Sequence, residues 1–247
     1  MKDDVQQHWD VVHSSKAVDE VSWFQAAPHT SVRLVKLASH GRPGASIVDV
    51  GAGTSTLVDL LLEVGADVTV LDISRKALDA AARRVGPRGD QVSWVQADLL
   101  EWEPGRSYDV LHDRAVFHFL ITAEDVAAYV DLAGAAVAPR GALVLGVFAP
   151  DGPTSCSGLP TARYDAAALA ARFADAFVLE HEERELHHTP AGGTQAFTWV
   201  VLRRRDTSSE THSRAPDPEG AGPCADQRRA ASAARRPGPA AASTPTA

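Results

Sequence analysis

The stretch SIVDVGAGTS, residues 46–55, decides the fold. It begins with a short, largely apolar run, and Gly51 and Gly53 follow that run directly. Glycines here allow the backbone to approach a ligand closely, and the helix predicted over 54–64 presents free N–H groups at its start. This order of strand, glycine turn and helix predicts a βα unit of a parallel sheet that binds a ligand at its carboxyl edge.

The segments after this turn repeat the alternation of strand and helix. Ser74 and Thr122 are typical N-cap residues and predict the starts of two helices. The last two strands have no helix between them, which predicts an antiparallel C-terminal hairpin. We therefore predict an α/β, Rossmann-like fold with a seven-stranded, mostly parallel sheet and helices on both faces. The predicted strands are 46–50, 68–71, 92–95, 108–112, 142–148, 177–183 and 196–202, and the predicted helices that accompany them are 54–64, 74–85, 122–137 and 165–173.

The two ends of the chain differ from this body. Residues 1–41 predict an N-terminal helical cap of two helices, with the aromatic Trp23 between them. After residue 203 the chain contains no Val, Ile, Leu, Met, Phe, Trp or Tyr. Such a composition cannot bury enough apolar surface to offset the entropy of ordering. We therefore predict one domain over 1–203 and a disordered tail over 204–247.

Carboxylates follow three successive predicted strands. Asp49 precedes the glycine turn, Asp72 ends the second strand and Asp98 follows the third. Asp is also a common N-cap residue, so each one alone has a purely structural explanation. A dinucleotide site requires G-x-G-x-x-G, whereas the third position here is Thr56. Together with Asp49, which suits a cationic ligand better than a pyrophosphate, this favours an adenosyl ligand with a cationic end.

These motifs resemble those of class I S-adenosylmethionine-dependent methyltransferases. The resemblance covers roughly residues 5–203 and departs at Thr54 and Ser55, where many members carry another Gly. It implies S-adenosyl-L-methionine as the cofactor. The segments that carry it are 48–55, 70–74, 97–99 and 108–111.

The resemblance also implies roles for single residues. The methionine part of the cofactor lies along Asp49 and the glycine turn, Asp72 binds the ribose, and Asp98 meets the adenine amino group. Trp23 has a chemistry of its own, since an aromatic face can contact a sulfonium, although it could equally anchor the helical cap. The predicted cofactor-binding residues are Trp23, Asp49, Gly51, Ala52, Gly53, Asp72, Ile73, Asp98, Leu99 and Asp113.

The segment after the fourth strand, 111–120, lies where cofactor and acceptor meet in that family. His118 and Asp113 are the predicted catalytic residues because either could take a proton from the acceptor, but a packed core histidine is the commoner state for His118. Arg114 and Tyr164 are the predicted substrate-binding residues. Arg114 could bind an acceptor carboxylate with two hydrogen bonds or form a structural ion pair with Asp113 or Asp109.

Composition excludes several classes of function. The net charge is −8, and residues 1–203 alone carry −10, which argues against a nucleic-acid partner. The sequence holds no apolar run long enough to span a membrane and only two cysteines, so we expect a cytoplasmic protein. The His and Glu residues of 181–188 show no convincing metal-ligand spacing, and we predict no metal.

The predicted function is the transfer of a methyl group to an N, O or S nucleophile of a small molecule. One alternative is a protein-lysine methyltransferase, because Asp113-Arg114 loosely resembles an Asp-Lys-Gly segment of some of those enzymes. A protein acceptor therefore stays open. The other alternative is a non-catalytic adenosyl-binding module. Thr56 argues against a nucleotide-dependent oxidoreductase.

Overall fold

The computed structural model describes residues 2–206, with side chains from Asp4 onward. The predicted tail, 204–247, lies outside the described residues except for its first three positions. Of these, Arg204 ends the last strand of the sheet, so the folded body extends one residue past the predicted boundary.

A seven-stranded sheet forms the centre of the molecule, in the order β3-β2-β1-β4-β5-β9-β8. Strands β1 to β5 run parallel, and β9 and β8 are antiparallel to their neighbours. This confirms the predicted sheet and its C-terminal hairpin. A separate two-stranded hairpin is formed by β6 and β7. The strands are β1 Ser46–Val50, β2 Asp67–Asp72, β3 Val92–Gln96, β4 Tyr108–Arg114, β5 Val137–Phe148, β6 Ser155–Cys156, β7 Leu159–Pro160, β8 Phe177–His188 and β9 Thr194–Arg204.

Six α-helices accompany the strands. Ser74 accepts a hydrogen bond from the Ala77 N–H at 3.3 Å, and Thr122 accepts one from the Asp125 N–H at 3.1 Å, so both predicted N-caps are confirmed. The helices are α1 Lys2–Ser15, α2 His29–Ala38, α3 Leu57–Glu63, α4 Arg75–Val85, α5 Ala123–Ala136 and α6 Ala166–Arg172.

Helices cover both faces of the sheet. One apolar cluster joins α5 and α6 to the sheet, and the other joins α2, α3 and α4 to the opposite face. Side chains alternate between faces along a strand, so neighbouring residues of β4 belong to different clusters. Leu111, for example, packs with α5 and Val110 with α2.

Several element boundaries differ from the prediction, and both strands of the C-terminal hairpin are longer than expected. Helix α3 begins at Leu57 rather than at 54, because the Ser55 hydroxyl accepts the Leu57 N–H at 3.1 Å and the residues before it stay in the turn. Strand β5 begins at Val137, directly after α5, although Pro139 and Gly141 are turn-forming residues. A register shift between Tyr108 and Val110 of β4 accommodates this irregular start.

Within residues 2–206 no helix combines the length and the apolar character needed to cross a membrane.

Candidate active site at the carboxyl edge of the sheet

The glycine turn between β1 and α3 adopts a backbone that favours glycine. Gly51 and Gly53 have φ of 57° and 54°. A Cβ on Gly51 would lie 2.1 Å from Cγ2 of Val116, the residue that follows the end of β4 by two positions. The turn therefore packs tightly against the segment after β4, and a side chain at Gly51 would break that contact.

Asp72, at the end of β2, holds this turn. Its Oδ2 accepts the Gly53 N–H at 2.7 Å and its Oδ1 accepts the Ser74 N–H at 2.8 Å. Burial raises the pKa of Asp72 to about 6, although both hydrogen bonds lower it. Each carboxylate oxygen has two lone pairs, so each keeps one for a ligand hydroxyl.

Arg84 in the last turn of α4 also supports the glycine turn. Its Nη1 donates to the Thr54 carbonyl at 2.7 Å and its Nη2 donates to the Ser55 carbonyl at 2.6 Å. No local sequence pattern reveals this contact, because it joins residues about 30 positions apart.

Helix α1 lies across the same edge of the sheet. Asp10 accepts a hydrogen bond from the Ser74 hydroxyl at 2.6 Å, and the His13 ring lies 3.3 Å from the position of a Cβ on Gly53. The Trp9 ring packs 6.0 Å from Trp23 and 5.3 Å from Phe119, measured between ring centroids. The predicted helical cap therefore covers both the end of β2 and the segment after β4.

A small cavity of about 50 Å³ lies beneath this cover. Trp23, Asp49, Gly51, His112 and Arg114 contribute to its wall. Sites for small molecules usually enclose about 300–1,000 Å³. The cavity therefore holds a functional group of a ligand, and a whole cofactor requires the N-terminal segment to move away.

Asp49 forms a buried pair with His112 on the neighbouring strand β4. The Asp49 Oδ1 and His112 Nδ1 atoms are 2.7 Å apart, and both side chains are only 3% exposed. Asp49 Oδ2 and His112 Nε2 are buried and have no hydrogen-bond partner among the described residues. Asp49 is one of the predicted site residues, whereas His112 is not, because in the sequence it resembles an ordinary interior residue of a strand.

Arg114 ends β4 on the same face as His112. Its Nη1 donates to the Trp23 carbonyl at 2.9 Å, and the guanidinium lies 4.9 Å from the centre of the Phe197 ring. Within the described part of the chain, its buried Nε and Nη2 atoms have no partner. Burial lowers the pKa of Arg114 to about 10.

The anticipated ion pairs of Arg114 do not form. Asp109 pairs with Arg42 at the other end of β4. Asp113 points to the opposite face, where its carboxylate accepts hydrogen bonds from Tyr129 Oη at 2.7 Å, Val116 N at 2.9 Å and Phe117 N at 3.1 Å. Burial raises the pKa of Asp113 to about 6, against these hydrogen bonds. Because its oxygens hold the turn after β4, the candidate site leaves Asp113 out, both as a catalytic and as a cofactor-binding residue.

His118 and Tyr164 also lie in packed regions. The His118 ring is fully buried, with its centroid 4.5 Å from that of Phe119 and 4.3 Å from that of Phe148. Burial, and secondarily the charge of Arg114, lowers the pKa of His118 to about 3, so it is a poor proton acceptor. Tyr164 packs 5.5 Å from Phe117 within the α5–α6 cluster. The candidate site leaves out both residues.

The remaining predicted cofactor residues lie at the ends of β2 and β3. The Ala97 N–H donates to the Asp72 carbonyl at 3.2 Å, which joins the two strand ends. Asp98 is partly exposed and caps a short 3₁₀ turn by accepting the Leu100 N–H at 3.0 Å. Ile73 is partly exposed, whereas Leu99 is buried in the core. Asp98 and Ile73 can therefore meet a ligand at this edge. Within residues 2–206 no group of His, Cys, Asp and Glu side chains is arranged to hold a metal ion.

Comparisons with known proteins match this architecture. A family model described as a methyltransferase domain matches residues 48–143. N-methyltransferase NodS from Bradyrhizobium japonicum WM9, solved with S-adenosyl-L-homocysteine, aligns with a TM-score of 0.62 at 16% identity, covering 80% of this chain and 98% of that one. Magnesium protoporphyrin IX methyltransferase from Synechocystis PCC 6803, also solved with bound S-adenosylhomocysteine, aligns with a TM-score of 0.63 at 17% identity, covering 82% and 99%.

A third solved structure holds an acceptor as well. It is the 1,6-didemethyltoxoflavin-N1-methyltransferase from Burkholderia thailandensis, with 1,6-didemethyltoxoflavin and S-adenosylhomocysteine bound. It aligns with a TM-score of 0.56 at 21% identity, covering 76% of this chain and 94% of that one. No curated protein sequence matches the chain. At these identities the solved structures establish the fold.

Proposed function

We propose that this chain is a class I S-adenosylmethionine-dependent methyltransferase that methylates a nucleophilic N, O or S atom of a small molecule, as the matched domain and the fold support. The observation that carries the proposal is the buried Oδ2 atom of Asp49, which has no hydrogen-bond partner among the described residues. Asp49 lies beside the glycine turn, whose two glycines have positive φ. A buried carboxylate oxygen of this kind is satisfied by a cationic donor. The amino group of the cofactor supplies one.

The residues of this edge fit S-adenosylmethionine. Asp49 and the glycine turn would hold its methionine part, Asp72 its ribose, and Ile73 and Asp98 its adenine. Trp23 lines the cavity, so its ring is available near the sulfonium. The cofactor supplies a methyl group already activated by the positive sulfur.

Because the methyl group is activated, the task of the protein is alignment and exclusion of water. Fixing the reacting atoms can contribute about 7–11 kcal/mol to lowering a barrier. Trp23 and Val21 line the cavity and supply apolar surface that helps to exclude water from it. Where the acceptor must lose a proton, His112 is the histidine of the cavity, and its bond to Asp49 orients Nε2.

Structural neighbours support a small-molecule acceptor. Two of the structural neighbours act on small molecules according to their names, the magnesium protoporphyrin and the didemethyltoxoflavin enzymes.

Calorimetry on the full chain tests cofactor binding. S-adenosylmethionine and S-adenosylhomocysteine should bind, and NAD should not. Asp72→Asn should weaken adenosyl binding by about 1–3 kcal/mol, or about 5- to 150-fold, because a buried hydroxyl loses a charged acceptor. Asp67→Asn at the exposed start of the same strand is the matched control and should bind as the wild type does.

A transfer assay tests catalysis. Radiolabelled S-adenosylmethionine is incubated with the chain and either a metabolite extract or a protein extract. Label in the small-molecule fraction supports the proposal, and label confined to protein would contradict it. Adenosyl binding without transfer in either extract would favour the non-catalytic module.

A further inference from the structure

We infer that Arg114 binds a carboxylate in the cavity beneath the glycine turn, through its Nε and Nη2 atoms. The inference rests on the proposed function for the identity of the ligand, but the unpartnered guanidinium stands independently of it. Arg114 lines the cavity, and these two donors are buried without a partner among the described residues. Since Nη1 already donates to the Trp23 carbonyl, the free donors form one edge of the guanidinium.

In another arginine of this protein, the Nε and Nη2 edge of the guanidinium binds a carboxylate. In Arg203 the Nε atom donates to Glu180 Oε2 at 2.5 Å and the Nη2 atom donates to Glu180 Oε1 at 3.1 Å. A planar guanidinium edge and a carboxylate match in this two-bond geometry. Arg114 presents the corresponding pair of donors to a cavity instead of to a side chain.

No side chain among the described residues accepts a hydrogen bond from the two free donors of Arg114. Glu185 has an electrostatic effect on it, but Glu185 Oε1 accepts from Gln25 at 3.0 Å and Oε2 accepts from Trp199 at 2.7 Å. Asp49 acts more weakly still, and its Oδ1 is bonded to His112. Two buried charged donors without an acceptor are strongly unfavourable, so we expect an anionic ligand to supply the acceptor.

The cavity favours a singly charged, planar anion. Its volume of about 50 Å³ suits a carboxylate group. Asp49 Oδ2 lies in the same wall region and would repel a doubly charged phosphate more strongly. The carboxylate has two possible sources, the methionine end of the cofactor and an acid group of the acceptor.

Binding measurements distinguish these sources. S-adenosylhomocysteine carries the amino-acid group, whereas 5′-methylthioadenosine lacks it. Both are titrated into the wild type, Arg114→Gln and Arg114→Lys, with the exposed Arg33→Gln as a control. If the carboxylate belongs to the cofactor, Arg114→Gln weakens S-adenosylhomocysteine at least 10-fold and leaves 5′-methylthioadenosine unchanged. Arg114→Lys, which keeps the charge but loses the two-donor edge, should recover part of the loss.

If the carboxylate belongs to the acceptor, neither adenosyl ligand responds to Arg114→Gln. Benzoate then binds the S-adenosylhomocysteine complex of the wild type, detected by ligand NMR, and fails to bind that of the variant. Equal weakening of both adenosyl ligands, or no effect on any of the three probes, overturns the inference. Failure of the wild type to bind either adenosyl ligand contradicts the proposed function, and benzoate binding to the free wild type and variant still tests Arg114.

Discussion

Asp113 and Arg114 are neighbours in β4, and their buried charged side chains differ in how fully they are hydrogen-bonded. The Asp113 carboxylate faces α5 and accepts hydrogen bonds from a side chain and two backbone N–H groups. The Arg114 guanidinium faces α2 and β9, uses one donor on the Trp23 carbonyl and leaves two buried donors facing a cavity. The difference teaches that a satisfied buried charge supports the fold, whereas an unsatisfied one beside a cavity indicates a ligand.

The largest expected effect comes from Asp113→Ala. This change leaves the Tyr129 hydroxyl and two backbone N–H groups without their acceptor, at about 1–3 kcal/mol for each buried group. We expect a net loss of about 3 kcal/mol or more in the free energy of unfolding, measured by urea denaturation. Arg114→Gln should stay within about 1 kcal/mol of the wild type because it removes an unpaired charge. Equal losses in the two variants would contradict the comparison.

His118 sharpens the comparison, because its ring nitrogens are unpartnered among residues 2–206 yet its ring packs between Phe119 and Phe148. Its folded-state pKa of about 3 lies below the ordinary value of 6.5, so its contribution to stability is complete above pH 6.5 and is lost as the pH falls towards 3. His118→Leu removes this loss. The free energy of unfolding of the variant minus that of the wild type should be about 2 kcal/mol larger at pH 5 than at pH 8. An identical difference at both pH values would place His118 in contact with water.

The smallest effect should come from Tyr129→Phe. It removes one of the donors to Asp113 and leaves the two backbone donors in place. The free energy of unfolding should fall by about 1 kcal/mol. The affinity for S-adenosylhomocysteine should not change, since Tyr129 belongs to the opposite face of the sheet. A large drop in affinity would show that the two faces are coupled.

Local chemistry made much of the fold predictable from the sequence. Ser74 and Thr122 were identified as N-caps because their hydroxyls bind backbone N–H groups within the next few residues. Asp49 and Asp72 were placed at one edge because parallel strands end there together.

Register explains what the sequence did not predict. The choice between His112 and His118 depends on the direction in which each ring points, and that depends on pairing between β1 and β4 and on the turn after β4. Arg84 reaches the glycine turn from another helix, so its role follows from packing and not from spacing. His112 and Arg84 therefore escape prediction because their roles depend on strand pairing and helix packing.

The packing of α1 has a consequence for ligand exchange. Asp10 accepts from Ser74, His13 lies against Gly53 and Trp9 packs on Phe119, so adenosyl binding at this edge would require α1 to move away. The apparent affinity equals the intrinsic affinity multiplied by the fraction of molecules in which α1 has moved away. A substitution in α1 far from any ligand atom can therefore tighten binding simply by making the accessible population larger.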